Sequence, residues 1–134
     1  MSFLKKSEFL NVIVQELAYA APKDWSKIVY YTERLHDVEI GLRNASISKC
    51  WIGEDKKLYD TSKGPALSIS VELYDAIDEL YKLTEGTNDQ WHGLGIVFTN
   101  NGKYLRKFYY EGTPLIDNVL EKYTLRLKAL LEMR

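Results

Sequence analysis

The sequence predicts an α+β fold, in which helices pack on an antiparallel sheet of four to six strands in the order α-βββ-α-ββ-α. Two observations lead to this class. Three segments carry apolar residues at the three- and four-residue spacing of an amphipathic helix, and the segments between them alternate apolar and polar residues as strands do. The 134 residues are predicted to form one domain, residues 1–134, which is long enough to bury a core.

The first half of the chain predicts one helix and three strands. The helix spans about residues 7–21, and Pro22 ends it because proline disfavours helical geometry in the residue before it. Strands are predicted near residues 28–31, 38–43 and 47–52, where the apolar period changes to two. The charged stretch from Glu33 to Asp37 is predicted to be a loop or the exposed end of a hairpin.

The second half predicts a helix, a hairpin and a long helix. Residues 53–65 have the composition of a turn and a loop, and Ser70 caps a helix over residues 71–84. Two arms rich in aromatic and β-branched residues flank Asn-Gly at residues 101–102, which suits a tight hairpin turn. The last helix is predicted to start at Thr113-Pro114. We expect the helices on one face of the sheet and solvent on the other.

Composition narrows the classes of function. A formal net charge of -1 gives no general electrostatic reason to bind nucleic acid or a membrane, so neither is expected as a direct partner. The chain has no apolar run long enough to span a bilayer and no secretory signal at its N-terminus, so the expected location is the cytoplasm. Cys50 is predicted to be a buried residue of a strand, and we expect no metal site and no cofactor.

The sequence carries no signature of catalysis, and we expect that the protein is not an enzyme. GxSxG, HExxH, P-loop, Gly-rich dinucleotide and CxxC motifs are all missing from it. One alternative is a small hydrolase, which would need a pocket that encloses His92 with an acid. Another is a module that binds single-stranded nucleic acid, because exposed tyrosines of a sheet can stack bases and the chain has 10 tyrosines.

Carboxylates gather on the outward side of the second predicted helix and just past its end. Spacings of three and four residues place the first of them on one helical surface. The simplest interpretation is a solvated helix face, and the functional alternative is a docking surface for a basic partner, because complementary charge speeds encounter and sets specificity. The candidate contact residues are Asp75, Asp78, Glu79, Glu85 and Asp89.

Several local strings resemble the YezG-like family of bacterial immunity proteins. They are PKDWSKIVYY at residues 22–31, LYDAIDELYKL at residues 73–83, and Trp91 followed by GKY at residues 102–104 and FYYE at residues 108–111. The resemblance implies an antitoxin of a polymorphic or contact-dependent toxin system, which binds a cognate toxin C-terminal domain in the cytoplasm. Such domains are often nucleases, whose basic face an acidic helix can occupy. The resemblance transfers no catalytic residue, and the apolar third helix leaves a homodimer open.

Overall fold

The protein is seen in a computed structural model that describes residues 3–53, 57–58 and 70–133. Within these residues, three helices accompany a five-stranded antiparallel sheet, which confirms the α+β class. The order α-βββ-α-ββ-α matches the prediction only roughly, because the strands predicted at residues 38–43 and 47–52 fall in one strand, residues 41–52, and the third strand is residues 57–58. The elements are α1 (Phe3–Ala20), β1 (Trp25–Asp37), β2 (Gly41–Ile52), β3 (Lys57–Leu58), α2 (Val71–Thr84), β4 (Gly93–Thr99), β5 (Tyr104–Tyr109) and α3 (Leu120–Glu132). Across these ranges, no helix has the length and apolar character needed to cross a membrane.

The sheet is ordered β3-β2-β1-β4-β5, so β1 is its central strand. Side chains alternate along β1: Ile28 and Tyr30 face the main core, which α1 and α2 cover, whereas Val29 and Tyr31 face a smaller core under α3. The expectation that one face is solvated is therefore wrong. Leu130 of α3 is fully buried against the second face, because β1 and β4 are apolar on both sides.

The first hairpin differs most from the sequence-based prediction. The charged residues 33–37 continue β1, and the turn falls at residues 38–40, where a strand was expected. Val38 and Ile40 alternate with polar residues as the side chains of a strand do, and a strand was predicted for this reason. Both side chains are exposed. Cys50 is buried in β2 as predicted, and burial raises the pKa of its thiol to about 11.

The later elements are predicted more closely. Helix α2 has the bounds expected from the sequence, and β4 and β5 form the hairpin around residues 100–102. Helix α3 begins at Leu120 instead of Thr113, because residues 114–118 form turns and Asn118 has a φ of 58°, which a helix does not allow. Within the loop predicted at residues 53–65, Lys57–Leu58 forms β3, while residues 54–56 and 59–65 lie outside the described residues.

Gly95 allows α3 to approach the sheet closely. A Cβ atom at this position would lie 2.4 Å and 2.6 Å from the methyl carbons of Leu130 and 3.0 Å from its Cγ. We expect Gly95→Ala to lower the free energy of unfolding, measured in urea, by about 1 to 3 kcal/mol, which is the usual cost of overpacking. In a Leu130→Ala background the same substitution should cost less, because the opposing methyl groups are gone. Equal costs in the two backgrounds would show that close packing is not the reason.

Candidate functional site

The exposure of the acidic candidate residues depends on how α2 is oriented on the core. One side of α2 is buried on the core, which turns the opposite side towards solvent. The Oγ atom of Ser70 accepts a hydrogen bond of 3.1 Å from the backbone N–H of Leu73, which caps the helix at its N-terminus. The buried residues are Leu73, Ala76, Ile77, Leu80, Tyr81 and Thr84. The N-terminal cap and the buried side of α2 therefore determine which of its residues face solvent.

The charge of Asp78 is largely neutralised inside the protein. The Nε atom of Arg34 donates a hydrogen bond of 2.7 Å to Oδ1 of Asp78. The Arg34 side chain has no exposed surface, whereas that of Asp78 is 32% exposed. A charge-assisted contact of this kind ties α2 to β1, so Asp78 positions the helix more than it offers a charge to a partner.

Two other acidic candidates have nearby bases. Glu79 lies 3.8 Å from the Nζ atom of Lys82, and both side chains are more than half exposed, so this ion pair contributes little energy. Oε2 of Glu85 lies 2.7 Å from Nδ1 of His36, a residue near the end of β1. This contact joins the end of α2 to the first hairpin.

The remaining candidates are exposed. Asp75 lies on the outward side of α2, and Asp89 lies in the turns after it. Neither side chain forms an ion pair with another described residue. We use the name acidic face for Asp75, Glu79 and Asp89, whose carboxylates are exposed to solvent. The structure thus keeps three of the five candidate residues as surface charges.

Sequence reasoning missed Arg34, which lies at the centre of the contact between β1 and α2. Its Nη1 atom donates to Oγ1 of Thr32 at 2.7 Å and to the carbonyl oxygen of Glu33 at 2.8 Å, whereas Nη2 has no partner among the described residues. The guanidinium lies 5.9 Å from the ring centre of Tyr74. One signal in the sequence favours a strand that continues through Arg34: no glycine, proline or asparagine interrupts the chain from Trp25 to Asp37.

Glu33 was also missed, and it forms a second buried network on the opposite face of the sheet. Its carboxylate accepts hydrogen bonds from the backbone N–H of Leu115 at 3.0 Å and of Ile116 at 2.8 Å, and from the hydroxyl of Tyr31. Arg126 of α3 lies 3.8 Å away and also donates to the Tyr31 hydroxyl. Burial, together with the Glu33 carboxylate, raises the pKa of Tyr31. Both carboxylate oxygens are engaged, so this network anchors the segment that leads into α3.

Neither histidine has the surroundings of a catalytic base. The side chain of His36 is 57% exposed and pairs with Glu85. Nδ1 of His92 lies 3.2 Å from the carbonyl oxygen of Arg34. The hydrogen bonds of the described residues do not place either ring beside a serine, threonine or cysteine nucleophile. In the same part of the chain, no group of three or more His, Cys, Asp or Glu side chains could hold a metal ion.

The tyrosines of the sheet are mostly covered. Tyr30 is 1% exposed and donates to Oγ of Ser46 at 3.1 Å, and Tyr31 has no exposed surface. Tyr109 packs edge-on against Tyr31, and the guanidinium of Arg126 lies 4.5 Å from its ring centre. The central strand therefore offers no open row of aromatic rings on which bases could stack.

Comparison of the chain with protein-family models and with curated proteins gives no match. The resemblance to the YezG-like family therefore stays a prediction.

Proposed function

We propose that this protein is an immunity protein that binds a cognate bacterial toxin domain and neutralises it in the cytoplasm. The resemblance to the YezG-like family supports the class of protein. The acidic face supports the proposed mode of binding, and this surface is the observation that carries the proposal. Asp75 and Glu79 lie on a capped helix that Arg34 and Asp78 hold to the sheet, and Asp89 lies in the turns after it.

The partner that fits this surface is a basic toxin domain, most simply a nuclease. A nuclease holds phosphates with a positively charged face, and carboxylates on a rigid helix can occupy the same positions. Asp75 and Glu79 lie four residues apart, so both point to the same side of α2. Exposed charges of this kind mainly accelerate association, and salt screens them.

The mechanism that follows is occlusion. The immunity protein covers the active or substrate-binding face of the toxin, and no bond is formed or broken. Asp75, Glu79 and Asp89 make the charge contacts, while Asp78 and Glu85 hold α2 against β1 and thus position the acidic face. Exposed Tyr74 on the same helix supplies an aromatic anchor at the edge of this surface.

The experiment is to co-express this protein with the toxin C-terminal domain encoded immediately upstream. A tight one-to-one complex and loss of toxicity are the expected results. Charge reversal at two positions, Asp75→Lys with Glu79→Lys, should then weaken binding at least about tenfold, mainly through slower association at low salt.

A matched control reverses two exposed acids outside the acidic face, Glu111→Lys with Glu132→Lys, and should bind within about twofold of the wild-type protein. Equal affinity for both double variants would contradict the assignment of the acidic face. Failure of the wild-type protein to bind or neutralise the toxin would overturn the function itself, and steeply salt-dependent RNA binding would then favour the nucleic-acid alternative.

A further inference from the structure

The tip of the first hairpin exposes two aliphatic side chains. Val38 is 100% exposed and Ile40 is 74% exposed. Polar residues and glycine usually occupy such turns. Polar side chains form hydrogen bonds with backbone groups of the turn, and glycine tolerates its backbone conformation. Single exposed apolar residues are ordinary on protein surfaces, but two β-branched side chains on one turn of three residues form a small apolar knob.

The turn that carries this knob is held in one conformation. The Asp37 carboxylate accepts hydrogen bonds from the backbone N–H of Glu39 at 2.8 Å and of Ile40 at 3.1 Å. These donors lower the pKa of Asp37, so its carboxylate stays ionised. Gly41 closes the turn with a φ of 100°, which other residues rarely adopt. A rigid knob loses little conformational entropy when a partner binds it.

The knob projects from the sheet and lies next to the end of α2. The neighbouring strand β4 pairs with β1 only between Lys27 and Glu33, so the end of the hairpin extends beyond it. The backbone N–H of His36 lies 3.3 Å from the hydroxyl of Tyr81, and the His36 ring binds Glu85. A shallow groove of about 380 Å³ separates the tip from the last turn of α2 and the residues after it.

We infer that the hairpin tip is the apolar anchor of the docking surface that includes the acidic face. Val38 and Ile40 insert into an apolar pocket of the toxin domain, and basic residues around that pocket face Glu39 at the tip and the acidic face. The exposed carboxylates of Glu39 at the tip and of the acidic face argue for a basic rim. An apolar centre within a polar rim is the usual arrangement of residues that dominate binding energy. This inference rests on the proposed function and adds the chemistry of the partner's surface.

The test compares two double variants in the purified complex with the toxin domain. Val38→Ser with Ile40→Ser removes the knob, and Leu120→Ser with Leu125→Ser removes two similarly exposed side chains of α3, which are 62% and 67% exposed. The tip variant should bind at least about tenfold more weakly, mainly through faster dissociation, since contacts in a desolvated pocket act on that rate. The α3 variant should bind like the wild-type protein.

The other outcomes separate this inference from the proposed function. If charge reversal on the acidic face weakens binding but the tip variant binds like the α3 variant, the tip inference is overturned and the function stands. If the wild-type protein does not bind the toxin domain, both are overturned. If the wild-type protein forms a dimer that the tip variant loses, while toxin affinity is unchanged, the knob contacts a second copy and the inference is again wrong.

Discussion

Replacing Glu33 by alanine is expected to lower the free energy of unfolding by about 3 to 5 kcal/mol, which is the usual cost of removing one partner of a buried ionic network. The side chain of Glu33 has no exposed surface. Without its carboxylate, the backbone N–H groups of Leu115 and Ile116 lose their acceptor, and Arg126 loses its counter-charge. Urea denaturation followed by circular dichroism at pH 7 measures the loss.

Two variants control for this result. Glu33→Gln keeps the size of the side chain and one acceptor oxygen, so it should cost less than alanine. Glu39→Ala removes an exposed acid of the same hairpin and should change stability by no more than about 0.5 kcal/mol. Amide hydrogen exchange at Leu115 and Ile116 should accelerate in the Glu33 variants. A Glu33→Ala protein as stable as Glu39→Ala would show that the network contributes nothing.

Replacing Arg34 by alanine is expected to cost about 2 to 4 kcal/mol. This is less than the full cost of breaking a buried pair, because water reaches Asp78 and can solvate part of its charge once the guanidinium is gone. Arg34→Met should cost less than alanine, since it keeps the aliphatic packing of the side chain. The same denaturation measurement applies.

The pair itself is tested by a double-mutant cycle. Arg34→Met and Asp78→Asn are made singly and together, and the double variant should be more stable than the sum of the single losses predicts, because neither residue then leaves a charge unpaired. Additive losses would mean that the contact of 2.7 Å between Arg34 and Asp78 contributes no coupling energy.

The elements that the sequence predicts well are those with strong local signals. Helix α2 combines the Ser70 cap with a regular apolar stripe, and its observed bounds agree with the prediction. The Asn-Gly turn at residues 101–102 identifies the second hairpin in the same way. Spacing alone also places Asp75 and Glu79 on one outward surface of α2.

The elements that the sequence-based prediction misplaces depend on contacts with residues far away along the chain. Arg34 binds a residue 44 positions away, and Glu33 binds the backbone of Ile116, 83 positions away. A local interpretation assigns such charges to a loop, since the adjacent Glu33 and Arg34 would point to opposite faces of a strand and could not neutralise each other there. The Glu33 carboxylate binds the backbone N–H groups of residues 115 and 116, which lie in turns. This distant contact overrides the helix start that Thr113-Pro114 predicts. For the acidic candidates, spacing predicts the shared surface but not the ion pair that Asp78 makes.

The position of β1 in the middle of the sheet has a consequence for synthesis of the chain. The first hairpin is complete once residue 52 has left the ribosome, but Arg34 and Glu33 still lack Asp78 and Arg126. At translation rates of about 5 to 20 residues per second, these two charges stay hydrated in the nascent chain for seconds. Hydrated charges on both faces of an unfinished strand oppose its premature collapse and its pairing with other nascent chains. We therefore expect the residues that hold the mature domain together to help keep the incomplete chain soluble.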